Sequence, residues 1–161
     1  AITWDPALTS QVDFEGELAI VIGSIAKNVA AADAAQVIFG YTIANDVTAR
    51  DLQKTDGQWT RAKGFDTFCV FGPWIDTDFN SADALITCRV NGQMRQLAST
   101  RDMVFSVGTL VAFISSVMTL MPGDLIFTGT PSGVGELHAG DRVDVDIDGL
   151  GGITNPVRAE A

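Results

Sequence analysis

Apolar residues fall into short runs broken by glycine, proline and acidic residues, and one run alone repeats convincingly at helical spacing. The run "VDFEGELAIVI", residues 12 to 22, has the length and composition of a buried strand. An Ala-rich stretch follows, in which Asp33 is expected to cap a short helix reaching about Val37. "VIFGYTIANDV" then predicts a second extended run leading into "TARDLQ". Residues Asp56 to Asp66 are polar and Gly-containing and read as a surface connection. "TFCVFGPWI" reads as strand, turn and strand, and "ALITCRVNGQMRQ" as a hairpin with Asn91-Gly92 at its tip. Leu110, Val111, Phe113, Ile114, Val117 and Met118 predict a helix beginning near Ser106 and closed by Pro122 and Gly123. "DLIFTGT" returns to strand and the Gly-rich "TPSGVGEL" to loop. In "RVDVDID", Val143, Val145 and Ile147 alternate with Asp144, Asp146 and Asp148, the pattern of a half-buried strand whose acids wet its outer face. Many strands and one convincing helix argue for an α+β, largely β domain rather than a βαβ nucleotide fold.

Composition narrows the class. A chain of 161 residues is long enough for one domain with a substantial core, so residues 1 to 161 are expected to form a single domain. With 47% hydrophobic residues and mean hydropathy +0.23 it falls outside the disordered class, and no stretch reads as an uninterrupted membrane span. A formal charge of -10 without any basic cluster argues against nucleic acid as a partner. Cys69 and Cys88 fit no metal-binding spacing and read as reduced core residues, with a single disulfide as the alternative. The absence of a signal-like segment favours the cytoplasm, although Ala1 is no natural initiator and an upstream segment is expected.

The chemistry begins with Glu15 and Glu17. Two apart in a strand, both side chains point to one face, with Gly16 between them and Ala19 and Val21 further along the row. Like charges so close raise each other's proton affinity, whereas a hard cation reverses that penalty. A third carboxylate would complete a set suited to magnesium or manganese, and Asp46, at the end of the "YTIAN" run, is the candidate. An E-x-E pair is also common on exposed strands, so surface acids are the competing reading.

"DFEGEL", "GYTIANDVTARDLQ", "RAKGFDTF", "GP", "VNGQ", "LMPGDLIFTGTPSGVG" and "GLGGITNPV" follow one another in an order that resembles the fumarylacetoacetate hydrolase family, from Val12 to about Val157. The resemblance implies a mixed, mainly β-roll catalytic domain with few short helices, forming homodimers or higher oligomers. It also implies a magnesium or manganese ion and small anionic oxo-acid substrates. By the same resemblance Glu15, Glu17 and Asp46 match the metal-binding carboxylates, Lys63 the active-site lysine, Thr130 a substrate-contacting threonine, and Arg50 and Gln53 polar positions that bind substrate. Lys63 and Gln53 are then the expected catalytic side chains.

Those residue types suit the chemistry. Arg50 can fork onto a carboxylate or pair with Asp46 or Asp51; Gln53 can orient substrate or brace a loop; Lys63 can stabilise an enolate oxygen or, with a lowered pKa, exchange a proton. "TGTPSGVG" lacks the Walker lysine and the Rossmann spacing, so it does not point to nucleotides. Hydrolysis within the family is associated with a His and a Glu on an N-terminal segment that this chain does not match, and His138 reads as a loop residue. Isomerase or decarboxylase chemistry is expected first, because "GQWTRAKGFDTF" and "TGTPSGVG" resemble the 2-hydroxyhepta-2,4-diene-1,7-dioate isomerase branch of the family, with carbon-carbon bond hydrolysis, its His and Glu supplied by an N-terminal region, as the alternative. A non-catalytic binding or scaffold protein on the same fold is the second alternative.

Overall fold

The longest apolar run breaks where its acids begin. In the computed structural model, which describes residues 1–159, "VDFEGELAIVI" forms two strands, β2 (Val12–Phe14) and β3 (Gly16–Ile22), with Glu15 at the joint. The two halves enter different sheets, which corrects the single strand expected from the sequence. β1 (Ile2–Trp4) precedes them.

The chain continues through a 3-10 turn at Ala31–Gln36 into β4 (Ile38–Asp46) and β5 (Thr48–Ala49). Asp33 lies inside that turn and accepts a bond from Gln36, so it is not the cap; that position belongs to Ala30. Two short helices follow, α1 (Arg50–Thr55) and α2 (Thr60–Lys63). The second stands within the segment expected to be a plain connection. β6 (Cys69–Asp76) continues through Gly72-Pro73 as one strand whose register against β4 shifts between Gly72 and Asp76, where the sequence suggested strand, turn and strand.

β7 (Leu85–Val90) and β8 (Gln93–Ser99) form the expected hairpin, with Asn91 at φ 52° and Gly92 at φ 79°, the left-handed pair that a tight turn requires. α3 (Val107–Val117) is capped by Ser106, whose hydroxyl accepts the Thr109 N–H, and it stops before Pro122-Gly123, which instead turn the chain into β9 (Leu125–Phe127). β10 (Gly135–Glu136), β11 (Arg142–Ile147) and β12 (Gly151–Ala159) complete the fold. β1 alternates but is only three residues long, and β12 carries glycines and a proline, so pattern reading missed both.

Three sheets result: β1-β12-β11-β7-β8, β10-β2-β5 and β6-β4-β3-β9. The alternation in β11 holds, with Val143, Val145 and Ile147 buried in the larger core beside Phe14, Leu18 and Ile43. Ile20 and Ile22 serve a second core with Val111 and Ile126. β3 is thus buried along its whole length, and Glu15 and Glu17 are buried with it, which overturns the competing reading of surface acids. Burying strands on both faces removes them from water and fixes their register, since a one-residue slip would reverse every side chain.

α3 divides its apolar residues. Val111 and Ile114 pack inward, whereas Phe113, Val117 and Met118 remain exposed. Both cysteines are free; Cys88 is buried, with its thiol pushed up to about 12 by burial, but Cys69 is exposed and does not belong to the core. Among the described residues no helix is long and apolar enough to cross a membrane.

Candidate functional site

Pairing of β3 with β4 places Gly16 opposite Asn45, and this register carries Asp46 to the glutamates. The Asp46 N–H donates to the Glu15 carbonyl at 2.8 Å, while Asn45 Oδ1 accepts the Glu15 N–H at 2.9 Å. Carboxylate oxygens of Glu15, Glu17 and Asp46 lie within 4.8 Å of one another. Residues 29 positions or more apart in sequence therefore converge because the joint between β2 and β3 meets the end of β4.

Two cations serve this cluster. Lys63, presented by the end of α2, donates from Nζ to Glu15 Oε2 at 2.9 Å and to Asp46 Oδ2 at 2.5 Å. Arg50, the first residue of α1, spreads three donors: Nε to Asp13 Oδ2 at 2.8 Å, Nη2 to Glu15 Oε1 at 2.5 Å and Nη1 to Gln53 Oε1 at 2.6 Å. Gln53 is thereby tied to Arg50, one helical turn along. Glu17 has no cation at bonding distance; its Oε2 accepts the Gly129 N–H at 2.7 Å.

The electrostatics follow from this count. Asp13, Glu15, Glu17 and Asp46 face Arg50 and Lys63, leaving two formal negative charges in a largely buried place. Burial pushes Glu17 up to about 8, with the Gly129 N–H opposing and Asp46 and Glu15 adding to the rise. Burial also raises Asp46, against the pull of Lys63. Lys63 is drawn down by its own burial, but its bonds to Asp46 and Glu15 prevail and hold its ammonium above the usual lysine range. It is therefore a proton holder in this arrangement, where the sequence reading considered a lowered pKa. Asp13 Oδ1 is buried without a partner among the described residues.

Three clustered carboxylate donors, which with Asp13 outnumber the two neighbouring cations, fit a divalent cation. Oxygen donors of this kind suit magnesium or manganese rather than a thiolate-preferring ion.

The Gly-rich loop completes the site. Thr130 Oγ1 donates to the Gly16 carbonyl at 2.9 Å and accepts from Gln96 Nε2 at 2.8 Å. Gln96 also donates to the Pro131 carbonyl at 2.8 Å, and its Oε1 accepts the Gly16 N–H at 3.0 Å. Gly16 sits close against its neighbours: a Cβ would stand 3.1 Å from Val145 Cγ1 and 3.3 Å from Gln96 Oε1, so those side chains would have to give by a few tenths of an ångström. Thus Glu15, Asp46, Arg50, Gln53 and Lys63 join one bonded cluster, Glu17 stands beside it within 4.8 Å while bonding the Gly129 N–H, and Thr130 meets it through the backbone between the glutamates. His138 lies elsewhere on the surface, its ring 3.7 Å from both Glu136 and Asp141.

A family profile described as fumarylacetoacetate (FAA) hydrolase C-terminal matches residues 1–158. The chain belongs to this family. The crystal structure of 2-hydroxyhepta-2,4-diene-1,7-dioate isomerase from Mycobacterium marinum is 56% identical with a TM-score of 0.95, covering 99% of this chain and 62% of that one. Oxaloacetate tautomerase YisK from Bacillus subtilis (strain 168) is 44% identical over 93% of this chain and 53% of its own length. Maleylpyruvate hydrolase from Sphingobium sp. SYK-6, solved with manganese (II) and pyruvate, is 40% identical with a TM-score of 0.86, covering 94% and 56%. The chain spans between half and two thirds of the length of these relatives.

Fumarylacetoacetate hydrolase family membership accounts for the mixed sheets and few helices. The local sequence still held one signal that went unused. Asp13, Glu15 and Glu17 share a period of two, so the row of acids begins at Asp13, the partner of Arg50. Gln96 gave no such signal, because its partners lie 34 to 80 residues away.

Proposed function

We propose that the protein is a magnesium- or manganese-dependent enzyme acting on a small 2-oxo acid through its enolate, by isomerase, tautomerase or decarboxylase chemistry. The observation that carries this reading is the cluster of Glu15, Glu17 and Asp46 within 4.8 Å, where with Asp13 four carboxyl groups meet only two cations, Arg50 and Lys63. The likeness to an oxaloacetate tautomerase and to a dienedioate isomerase supports the reaction class.

Glu15, Glu17 and Asp46 would hold the ion. A divalent cation bound there supplies Lewis-acid withdrawal of electron density from the substrate carbonyl. Lys63, at the edge of the carboxylate cluster, would offer a compact positive charge to the oxygen on which enolate charge develops. Arg50 acts as a positioning residue, locking Glu15 between Asp13 and Gln53, with two of its five N–H donors left for a substrate carboxylate. Gln53 sets the Arg50 fork and extends the polar wall. Thr130 and the loop amides beside it would face the oxo acid, while the Thr130 hydroxyl donates to the Gly16 carbonyl.

Hydrolysis of an acylpyruvate is a second reading, supported by the likeness to maleylpyruvate hydrolase with its bound pyruvate. It needs a base that activates water. Incubating the manganese-loaded protein with oxaloacetate and with acylpyruvates, and following enol absorbance alongside product identity, separates the two. Enol-keto interconversion or decarboxylation abolished by chelation supports the first reading. Metal-independent turnover, or no turnover of any oxo acid, rejects it.

A further inference from the structure

The guanidinium of Arg50 divides one of its edges between two carboxylates. Nε and Nη2 form the side of the group that can grip a single carboxylate through two parallel bonds, yet here Nε donates to Asp13 Oδ2 at 2.8 Å and Nη2 to Glu15 Oε1 at 2.5 Å. Glu15 therefore receives one N–H from Arg50 rather than two. Nη1 goes to Gln53 Oε1 at 2.6 Å, so the plane of the fork is fixed by all three partners.

Asp13 is 4% exposed, and its Oδ1 meets no partner among the described residues. A buried carboxylate with one bare oxygen is destabilising by itself. The strand does not need this side chain to stay in place: backbone pairing sets Asp13 opposite Thr48 of β5 on one side and Glu136 of β10 on the other. Nor does the start of α1 need it, because the backbone N–H of Arg50 bonds the Gln11 carbonyl at 2.7 Å. What the carboxylate does alone is hold Arg50 Nε.

Without that hold, Nε and Nη2 would both turn onto Glu15, a side chain that already takes Lys63 on Oε2 at 2.9 Å. An incoming divalent ion would then have to displace a two-bond clamp as well as the lysine. We propose that Asp13 is a positioning residue for the metal site: by holding Arg50 Nε it limits Arg50 to a single bond with Glu15 and leaves that carboxylate able to ligate a divalent ion. The inference rests on the proposed function, since the ion is the one assigned to Glu15, Glu17 and Asp46.

Calorimetric titration of the metal-free protein with manganese, on variants whose melting curves show them folded, tests this. Asp13→Leu should weaken manganese binding roughly 10–100-fold, the usual effect of losing a partner that orients a metal ligand. Asp13→Asn loses the same charge but keeps an oxygen for Nε, and should recover most of that affinity. In an Arg50→Met background, Asp13→Leu should change the affinity by less than about twofold, as expected once there is nothing left to hold. Equal losses in Asp13→Leu and Asp13→Asn would assign the effect to charge, and an undiminished loss beside Arg50→Met would assign it to the architecture of β2. Either result overturns the inference, as does wild-type affinity in Asp13→Leu. The unsubstituted protein gives an independent reading: followed by heteronuclear NMR, the Arg50 Nε–H should resist exchange with solvent both before and after loading with magnesium, and rapid exchange in the loaded form overturns the role of Asp13. No manganese binding by the wild type overturns the proposed function and this role with it.

Discussion

Gln96 accepts the Gly16 N–H at 3.0 Å across 80 residues of sequence, and the same side chain donates to Thr130. Glu15 and Glu17 flank the glycine, and Thr130 belongs to the loop that bonds Glu17. One buried amide therefore couples the strand that bears two carboxylates to the loop that closes over them. Gln96→Leu leaves the Gly16 N–H and the Pro131 carbonyl without partners in a buried place, at a cost of about 1–3 kcal/mol. Urea denaturation should report that loss, and manganese affinity should weaken with it. Unchanged stability would show that water replaces Gln96 there.

Glu17 gives a prediction whose sign depends on the metal. Its carboxyl is raised from 4.5 to about 8 in the metal-free protein, so it favours folding fully below pH 4.5 and loses that contribution as the pH rises toward 8. At pH 7 the unfolded chain is ionised at this position and the folded chain is not, a difference on the order of 3 kcal/mol. Glu17→Gln should raise metal-free stability at pH 7, yet abolish the further stabilisation that manganese gives the wild type. Thermal melts with and without the ion read both effects.

Legibility in the sequence divided along physical lines. Period-two alternation marked β11, and the Asn91-Gly92 pair marked the β7–β8 hairpin, because those signals are local. The glutamate row was visible for the same reason. The break at Glu15 was not, because nothing within "FEGEL" distinguishes one strand from two that separate into different sheets. Lys63 showed its place only through the family motif: α2 is four residues long, and tertiary contacts rather than propensity fix it beside Asp46. Gln96 and its bonds to Gly16 and Thr130 arise wholly from the packing of distant segments.

Lys63 competes with a metal for the same oxygens. Removing its charge in Lys63→Met should tighten manganese binding, by roughly tenfold for about 1.4 kcal/mol of relieved repulsion. Turnover should nevertheless fall by about 10²–10⁴, the range for losing a group that stabilises or protonates a developing anion. Titration calorimetry and steady-state rates on one preparation separate the opposing effects. A parallel fall in both would reduce Lys63 to a structural clamp.

Asp51 anchors the start of α1, and hence Arg50, to the segment before β2. It accepts from the Thr9 hydroxyl at 2.5 Å and from the N–H groups of Ser10 and Leu52 at 2.9 Å each. Desolvation works to raise its pKa, but these bonds prevail and lower it below 3.8. Its contribution to stability is present above the unfolded value and is lost as the pH falls through the folded one. Asp51→Asn should therefore be less stable than wild type at pH 7, with the gap closing as the pH is lowered below 3.8. Melting curves from pH 3 to 7 would reveal a constant gap if the carboxylate charge were irrelevant.

The central claim is that Glu15, Glu17 and Asp46 together bind one divalent ion. Calorimetric titration of the metal-free protein with manganese at pH 8 measures it most directly, alongside Glu15→Gln, Glu17→Gln and Asp46→Asn. One site per chain, lost or weakened at least a hundredfold in each folded variant, is the result predicted here. Manganese binding of undiminished affinity in all three variants, or none in the wild type, would contradict it.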